Sequence, residues 1–306
     1  MGNVDIKSVK ELRERTQAGF SDCQEALKLN DNNIEKSIIW LKKRGAVKAE
    51  KKSGAIAVEG LTNAIKKDNK ALILEVNSQT DFVAKNKEFI NLVKQIEEAI
   101  FNSDVTDKEL VDQLKLQDGR TIHEASIEAT AKIGEKISFR RAEIVTFADD
   151  VVIGTYQHHN GKFSSIVAIQ GDSNQLVAND IAMHLGAMNP KFLNVQSVDN
   201  DWLEEQKNEI TKKTQADFIE KSKKSGKTPE QKHIDKTVEG RLTKLLGEFS
   251  LEDQPFAKEP SMTVKKYITN NGNAKLIFMK RYELGEGIQK VESDFASEVA
   301  AQMNVK

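Results

Sequence analysis

The sequence predicts an α+β fold assembled from modules: three helices at the N-terminus, a duplicated α+β core, a helical hairpin inserted in the second core half, and a helical C-terminal module. Three observations lead there. Apolar residues recur at helical spacing over residues 4–45, punctuated by Gly19 and Gly45. A strand, turn, strand, helix pattern occurs twice, at 58–86 and at 152–180, and the two copies align without a gap. From 201 to 246 the chain turns to long, heavily charged helical stretches.

The N-terminal helices are marked by Val9 and Leu12, by Cys23, Ala26 and Leu27, and by Ile34, Ile38 and Leu41. Ser21 with Gln24 suits a capping box, and Asp31, Asn32 and Asn33 offer caps for the third helix. The basic stretch KRGAVKAEKKSG then reads as a solvated linker or helix end and closes a module of residues 1–54.

In the repeat, VEGLTNAIKKDNKALILEVNSQTDFVAKN lies over VIGTYQHHNGKFSSIVAIQGDSNQLVAND. Gly60 meets Gly154, Leu72 and Ile73 meet Ile166 and Val167, and Phe82, Val83 and Ala84 meet Leu176, Val177 and Ala178. Asn160-Gly161 suits a type I′ hairpin turn. A helix with Phe89, Leu92, Val93 and Ile96 on one face follows the first copy; the helix of the second runs through Ile181 and Leu185 to Pro190. The expected subdomains are 55–140 for the first core half, and 141–200 with 247–280 for the second.

The inserted hairpin, 201–246, carries Ile210 and Phe218 on one arm and Ile234, Val238, Leu242 and Leu245 on the other, with SGKTPE as the break. Such a stripe serves as the hairpin's own seam or as a surface for a homodimer. QPFAKEPS reads as extended and AKLIFMKRYELG as a strand. Ile288, Val291, Phe295 and Val299 share one face of a last helix in a C-terminal module, 281–306.

Composition removes whole classes of function. Lys plus Arg number 46 against 47 Asp plus Glu, so the chain has no global positive field for nucleic acid. Cys23 stands alone, which excludes an internal disulfide and suits a reducing cytoplasm. Neither an apolar leader nor a membrane span is expected. There is no nucleotide-binding loop, and Gly285-Glu286-Gly287 is too short to serve as one. Adjacent His158 and His159 on a strand edge point to opposite faces and do not share a metal. No catalytic residue, metal or cofactor is expected, and the chain reads as a protein that binds another protein.

One pair stands out. Asp81 and Phe82 follow the apolar run ALILEV directly, at a strand end. Either Thr80 or Asp81 caps a helix and Phe82 turns into the core, or the pair faces a partner. The second copy has Gln175-Leu176 there, so the apolar member recurs and the acid does not. Two further readings use other residues: an RNA contact through Lys42 to Lys52, and a hydrolase built on His184 with a carboxylate such as Asp81.

LRERTQAGFSDCQEALK, SQTDFVAKN, HLGAMNPKFL, SGKTPEQ with VEGRL, QPFAKEPS and GEGIQKVESDFASEVA occur in that order between about residues 5 and 301. Together they resemble bacterial elongation factor Ts. The resemblance implies a guanine-nucleotide exchange factor for elongation factor Tu, without bound nucleotide, nucleic acid or chemistry of its own, and an N-terminal module like a ubiquitin-associated domain. It implies that Thr80, Asp81, Phe82 and Val83 reach the partner's Mg²⁺ site, and that Phe20, His184, Ala257 and Lys258 are further contacts. Two places depart from the family pattern: Phe20-Ser21, where two large apolar residues are usual, and Ala257-Lys258, where an apolar pair is common.

Overall fold

A computed structural model describes residues 4–16, 18–225 and 230–289. Three helices, α1 (Ile6–Thr16), α2 (Phe20–Leu29) and α3 (Ile34–Lys52), bury Val9, Leu12, Cys23, Ala26 and Leu27 against one another. Asn33 caps α3 by accepting from the Lys36 amide. The expected capping box at Ser21 is absent, because α2 starts one residue earlier, at Phe20, with Gly19 in the cap position. Of the two readings of the basic stretch around Gly45, linker or helix end, it is the helix end that is found: α3 runs on to Lys52. Glycine is tolerated inside that helix by tertiary contact, since a Cβ at 45 would lie 3.1 Å from the Ala131 Cβ.

The core holds two three-stranded antiparallel sheets. The first joins β1 (Glu59–Lys67), β2 (Lys70–Ser78) and β3 (Ile137–Thr146), with α4 (Asp81–Ala84), α5 (Lys87–Ser103), α6 (Lys108–Gln113) and α7 (Ile122–Ile133) between β2 and β3. Since β3 continues to Thr146, the first half of the core extends beyond residue 140, where the sequence placed its end. The second sheet joins β4 (Val151–Gln157), β5 (Phe163–Gly171) and β8 (Ala274–Glu283). Between β5 and β8 come α8 (Gln175–Met188), α9 (Asn200–Ser225), α10 (Gln231–Phe249), the short pair β6 (Pro255–Phe256) and β7 (Glu259–Thr263), and α11 (Val264–Asn270).

The two sheets face each other through Ala64, Ala71, Ile73, Ile153, Ile166 and Tyr282. On their outer sides, Phe89, Val93, Ile96 and Ile122 cover the first sheet, and Val177, Ile181, Leu185 and Val264 the second. Being covered on both faces explains why β2 reads as a continuous apolar run without alternation.

The two sheets are laid out alike, each of three antiparallel strands, with one difference. Both sheets carry a register shift between second and third strands, at Glu75/Val76 and at Ala168/Ile169. The hairpins, however, pair differently: Gly60 stands opposite Asn77, whereas Gly154 stands opposite Val167. The gapless match of the two glycines therefore does not survive as a match of pairing register. The turns take up the difference. Lys67 pairs with Lys70 across a two-residue turn with Asp68 at φ 53°, while the second hairpin bonds the His158 amide to the Phe163 carbonyl across a longer one. That longer turn is not type I′, because only Gly161 of Asn160-Gly161 has positive φ, at 67°.

The helical arm comprises α9 and α10, which reach slightly past 201–246 at both ends. Its base is pinned where Trp202 packs edge-on against Phe192, at 4.9 Å between centroids, and beside Phe249 at 5.5 Å. Farther out, Arg241 bonds Thr214 at 3.0 Å and Asp217 at 2.7 Å. Val291, Phe295 and Val299 of the expected last helix lie outside the described residues.

Glu75 is the one fully buried carboxylate among the described residues that faces two arginines. It accepts from Arg140 at 2.8 Å, from Arg141 at 2.7 Å and from the Gly285 amide at 2.8 Å. Burial alone raises its pKa, but the Gly285 amide, Arg140, Asn77 and Arg141 outweigh that and hold it below the usual carboxylate value.

Candidate functional site

The chain leaves β2 at Ser78, passes Gln79 and Thr80, and makes the single turn α4 before Asn86 caps α5 by accepting from the Glu88 amide. Within that turn neighbouring side chains part. Val83 packs into the first core cluster with Leu72, Val93 and Phe139. Phe82 is 79% exposed, more than any other large apolar side chain among the described residues. The reading that turns Phe82 into the core is thereby overturned; the inward position of the turn belongs to Val83.

Asp81 is also exposed, and Lys85 bridges the pair, with Nζ 3.4 Å from the Asp81 carboxylate and 5.9 Å from the Phe82 ring centre. Thr80 occupies the cap position of α4 but makes no side-chain cap bond. Its hydroxyl and its amide go instead to Glu135, at 2.9 Å and 3.0 Å. Neither Thr80 nor Asp81 acts as the expected cap.

The second copy handles the same position otherwise. Asn174 caps α8 by accepting from the Val177 amide at 3.0 Å. Gln175, the counterpart of Asp81, folds back to donate to the Ile153 carbonyl at 2.8 Å. Leu176, the counterpart of Phe82, is 67% exposed. Both copies thus present an apolar side chain to solvent, and only the first sets an exposed carboxylate beside it.

Phe20, on the N-terminal helices, is half exposed at the start of α2. His184 is fully buried. Its Nδ1 accepts from the Ala257 amide at 3.1 Å, which leaves Nε2–H to donate to Gln254 at 2.9 Å. Burial keeps the imidazole's pKa below normal against the opposing bond from Gln254. Both ring nitrogens are occupied, so neither hydrolytic chemistry nor direct contact with a partner is open to it. What it does is hold the β6–β7 turn. There Ala257 and Lys258 are exposed, and Lys258 is tied to Asp180 at 2.5 Å, an acid that also accepts from Tyr267 at 2.9 Å.

Lys42 to Lys52 fall on α3, where the acids of α2 answer part of the charge. Arg44 pairs with Asp22 and Glu25, and Lys48 pairs with Asp22 at 2.9 Å. Among the described residues no cluster of three or more His, Cys, Asp or Glu is placed to hold a metal ion. No described helix is long and apolar enough to cross a membrane. Glu135 and Lys85 escaped the sequence reading: Glu135 meets Thr80 across 55 residues of chain, which no local pattern reports.

Comparison with known proteins decides what kind of chain presents this turn. The profile of the Elongation factor TS family matches residues 79–286, a span that opens one residue before Thr80. The chain belongs to the elongation factor Ts family. Full-length similarity agrees: it is 44% identical to an elongation factor Ts of Malacoplasma penetrans over 301 residues, covering 98% of this chain and 99% of that one. It is likewise 44% identical to an elongation factor Ts of Mycoplasmopsis pulmonis over 295 residues, 96% of each. With one of Mycoplasmopsis synoviae it shares 43% over 301 residues, 98% of this chain and 99% of that one. As a member of the elongation factor Ts family, the chain takes its place among translation elongation factors, and the α4 turn lies within the part that defines the family.

Proposed function

We propose that this chain is a cytoplasmic guanine-nucleotide exchange factor for elongation factor Tu, and that it releases GDP by pushing Asp81 and Phe82 into the surroundings of the partner's Mg²⁺. The observation that carries the reading is the exposed Phe82 on a turn anchored by buried Val83 and by Thr80. An exposed ring on a fixed base loses little freedom on docking, which is what an anchor residue requires.

The partner's Mg²⁺ holds the nucleotide phosphates and accepts only near-octahedral oxygen geometry. Burying Phe82 in a partner pocket is favourable by about 1.5–3 kcal/mol, and the Asp81 carboxylate competes for the water and side-chain shell of the cation. About 4 kcal/mol spent in this way weakens nucleotide binding roughly a thousandfold. Linkage makes the effect reciprocal, so that nucleotide binding expels the factor by the same ratio and the cycle closes. The N-terminal helices, read as a module like a ubiquitin-associated domain, present Phe20 to the partner's nucleotide-binding domain. The β6–β7 turn presents Ala257 and Lys258 to another of its domains, with His184 as the support beneath.

The test is the release of fluorescent GDP from a Tu-type GTPase. The full chain at saturating concentration is expected to raise the off-rate by orders of magnitude; an unchanged off-rate refutes the reading.

A further inference from the structure

Gln79 and Thr80 are gripped by two residues of the α7–β3 connection. The Glu135 carboxylate accepts from the Thr80 amide at 3.0 Å and from its hydroxyl at 2.9 and 3.0 Å. The Lys136 amide donates to the Gln79 side chain at 2.8 Å. The Lys136 side chain then crosses to the end of α3, with Nζ 2.6 Å from the Ser53 carbonyl and 3.0 Å from that of Ala55. Glu135 is itself fixed from behind. Gly134 ends α7 at φ 84° with its amide on the Thr130 carbonyl, and the Ile137 amide donates to the Thr130 hydroxyl at 3.0 Å.

A four-residue helix has no stability of its own, so the direction of α4 is set by whatever holds its first residues. In the second copy that work is local, done by the cap of Asn174. In the first copy the cap residue's hydroxyl is given up to Glu135 instead. The clamp therefore occurs in the copy that carries the exposed acid and ring, and it reaches on to the N-terminal helices.

We propose that Glu135 is a positioning residue for Asp81 and Phe82, acting through Thr80, and that Lys136 ties this position to the end of α3. The proposal rests on the exchange-factor reading given above. The hydrogen bonds of Glu135 go to Thr80 and not to Asp81 or Phe82, and its effect is on the geometry with which those two meet a partner.

The experiment measures GDP release from a Tu-type GTPase by the full chain over a range of factor concentrations, in two backgrounds. Wild type and Phe82→Ala come first: an inactive wild type, or a fully active Phe82→Ala, refutes the underlying reading irrespective of Glu135. With both as expected, Glu135→Ala lowers the saturating rate about tenfold and moves the half-saturating concentration less than about threefold. Placed in the Phe82→Ala background, the same substitution lowers the rate by less than about twofold, because the group it positions is gone. Thr80→Val reproduces the loss, and adding Glu135→Ala to it lowers the rate little further. Glu135→Gln, which keeps the size and one acceptor, gives the same comparison at smaller amplitude should the alanine variant melt below assay temperature. An unchanged saturating rate in the wild-type background, or an equal fold-loss in both backgrounds, overturns the proposal.

Discussion

Val83 and Phe82 are neighbours on one helical turn, and they face opposite ways: the valine is part of the first core cluster and the phenylalanine ring stands in solvent. Their substitutions should therefore separate cleanly. Phe82→Ala removes no core contact and should leave the melting midpoint within a degree or two, while nucleotide release from the partner slows by about a hundredfold or more. Val83→Ala should lower stability by about 1–3 kcal/mol in urea unfolding, the range for shortening a buried side chain. A Phe82→Ala protein that melts early would return the ring to the core.

The carboxylate of Glu75 gives a pH signature. Its pKa is lowered in the folded protein, so its stabilisation is complete above the unfolded value of 4.5 and is lost as pH falls below that toward the folded value. Glu75→Gln takes the carboxylate from Arg140 and leaves Arg141 with Glu286 alone, and should weaken the fold by about 3–5 kcal/mol at pH 7. The gap between variant and wild type should narrow steadily below pH 4.5 in urea titrations.

His184 has the same sign by a different route. It is a base whose folded pKa is lowered, so the unfolded chain binds the proton more readily. Stability is full above pH 6.5 and declines as pH falls through the window between 6.5 and the folded value. His184→Ala should abolish that decline and loosen the β6–β7 turn, seen as faster amide exchange at Ala257, whose donor loses its acceptor.

Gly154 lies where β4 meets α8. A Cβ there would come 2.0 Å from the Ala178 carbonyl oxygen, backbone that cannot swing aside. Gly154→Ala should destabilise the second half of the core by about 3 kcal/mol or more, beyond ordinary overpacking. Gly45→Leu, on α3, should instead part α3 from α7 near Ala131, increasing amide exchange there with less effect on the melting midpoint.

Local periodicity made much of this architecture readable. Val9 and Leu12, the apolar run of β2 and the stripe from Phe89 to Ile96 each sit where their spacing puts them, because burial on one face leaves its period in the sequence. Features set by contact between distant segments left no such trace. Gly45 reads as a helix break and is a point of close approach to Ala131. The matched glycines of the repeat hide a change of register that two different turns absorb. Local periodicity does not mark α6 and α7 between 104 and 136, nor the Glu135 that grips Thr80. At the site itself, the oddness of Asp81 beside Phe82 was legible as a mismatch with the fold, but which of the turn's residues faced inward was decided only by packing.

The hairpin formed by α9 and α10 has a thin seam: among the described residues of its arms Thr214 and Val238 are the buried ones, while the aromatic clasp of Trp202 with Phe192 and Phe249 sits at its root. An appendage so built can be shortened from its tip in whole turns with little effect on the body that carries it. Trp202 makes that divisibility observable, since its emission should report the integrity of the root while truncation proceeds above it.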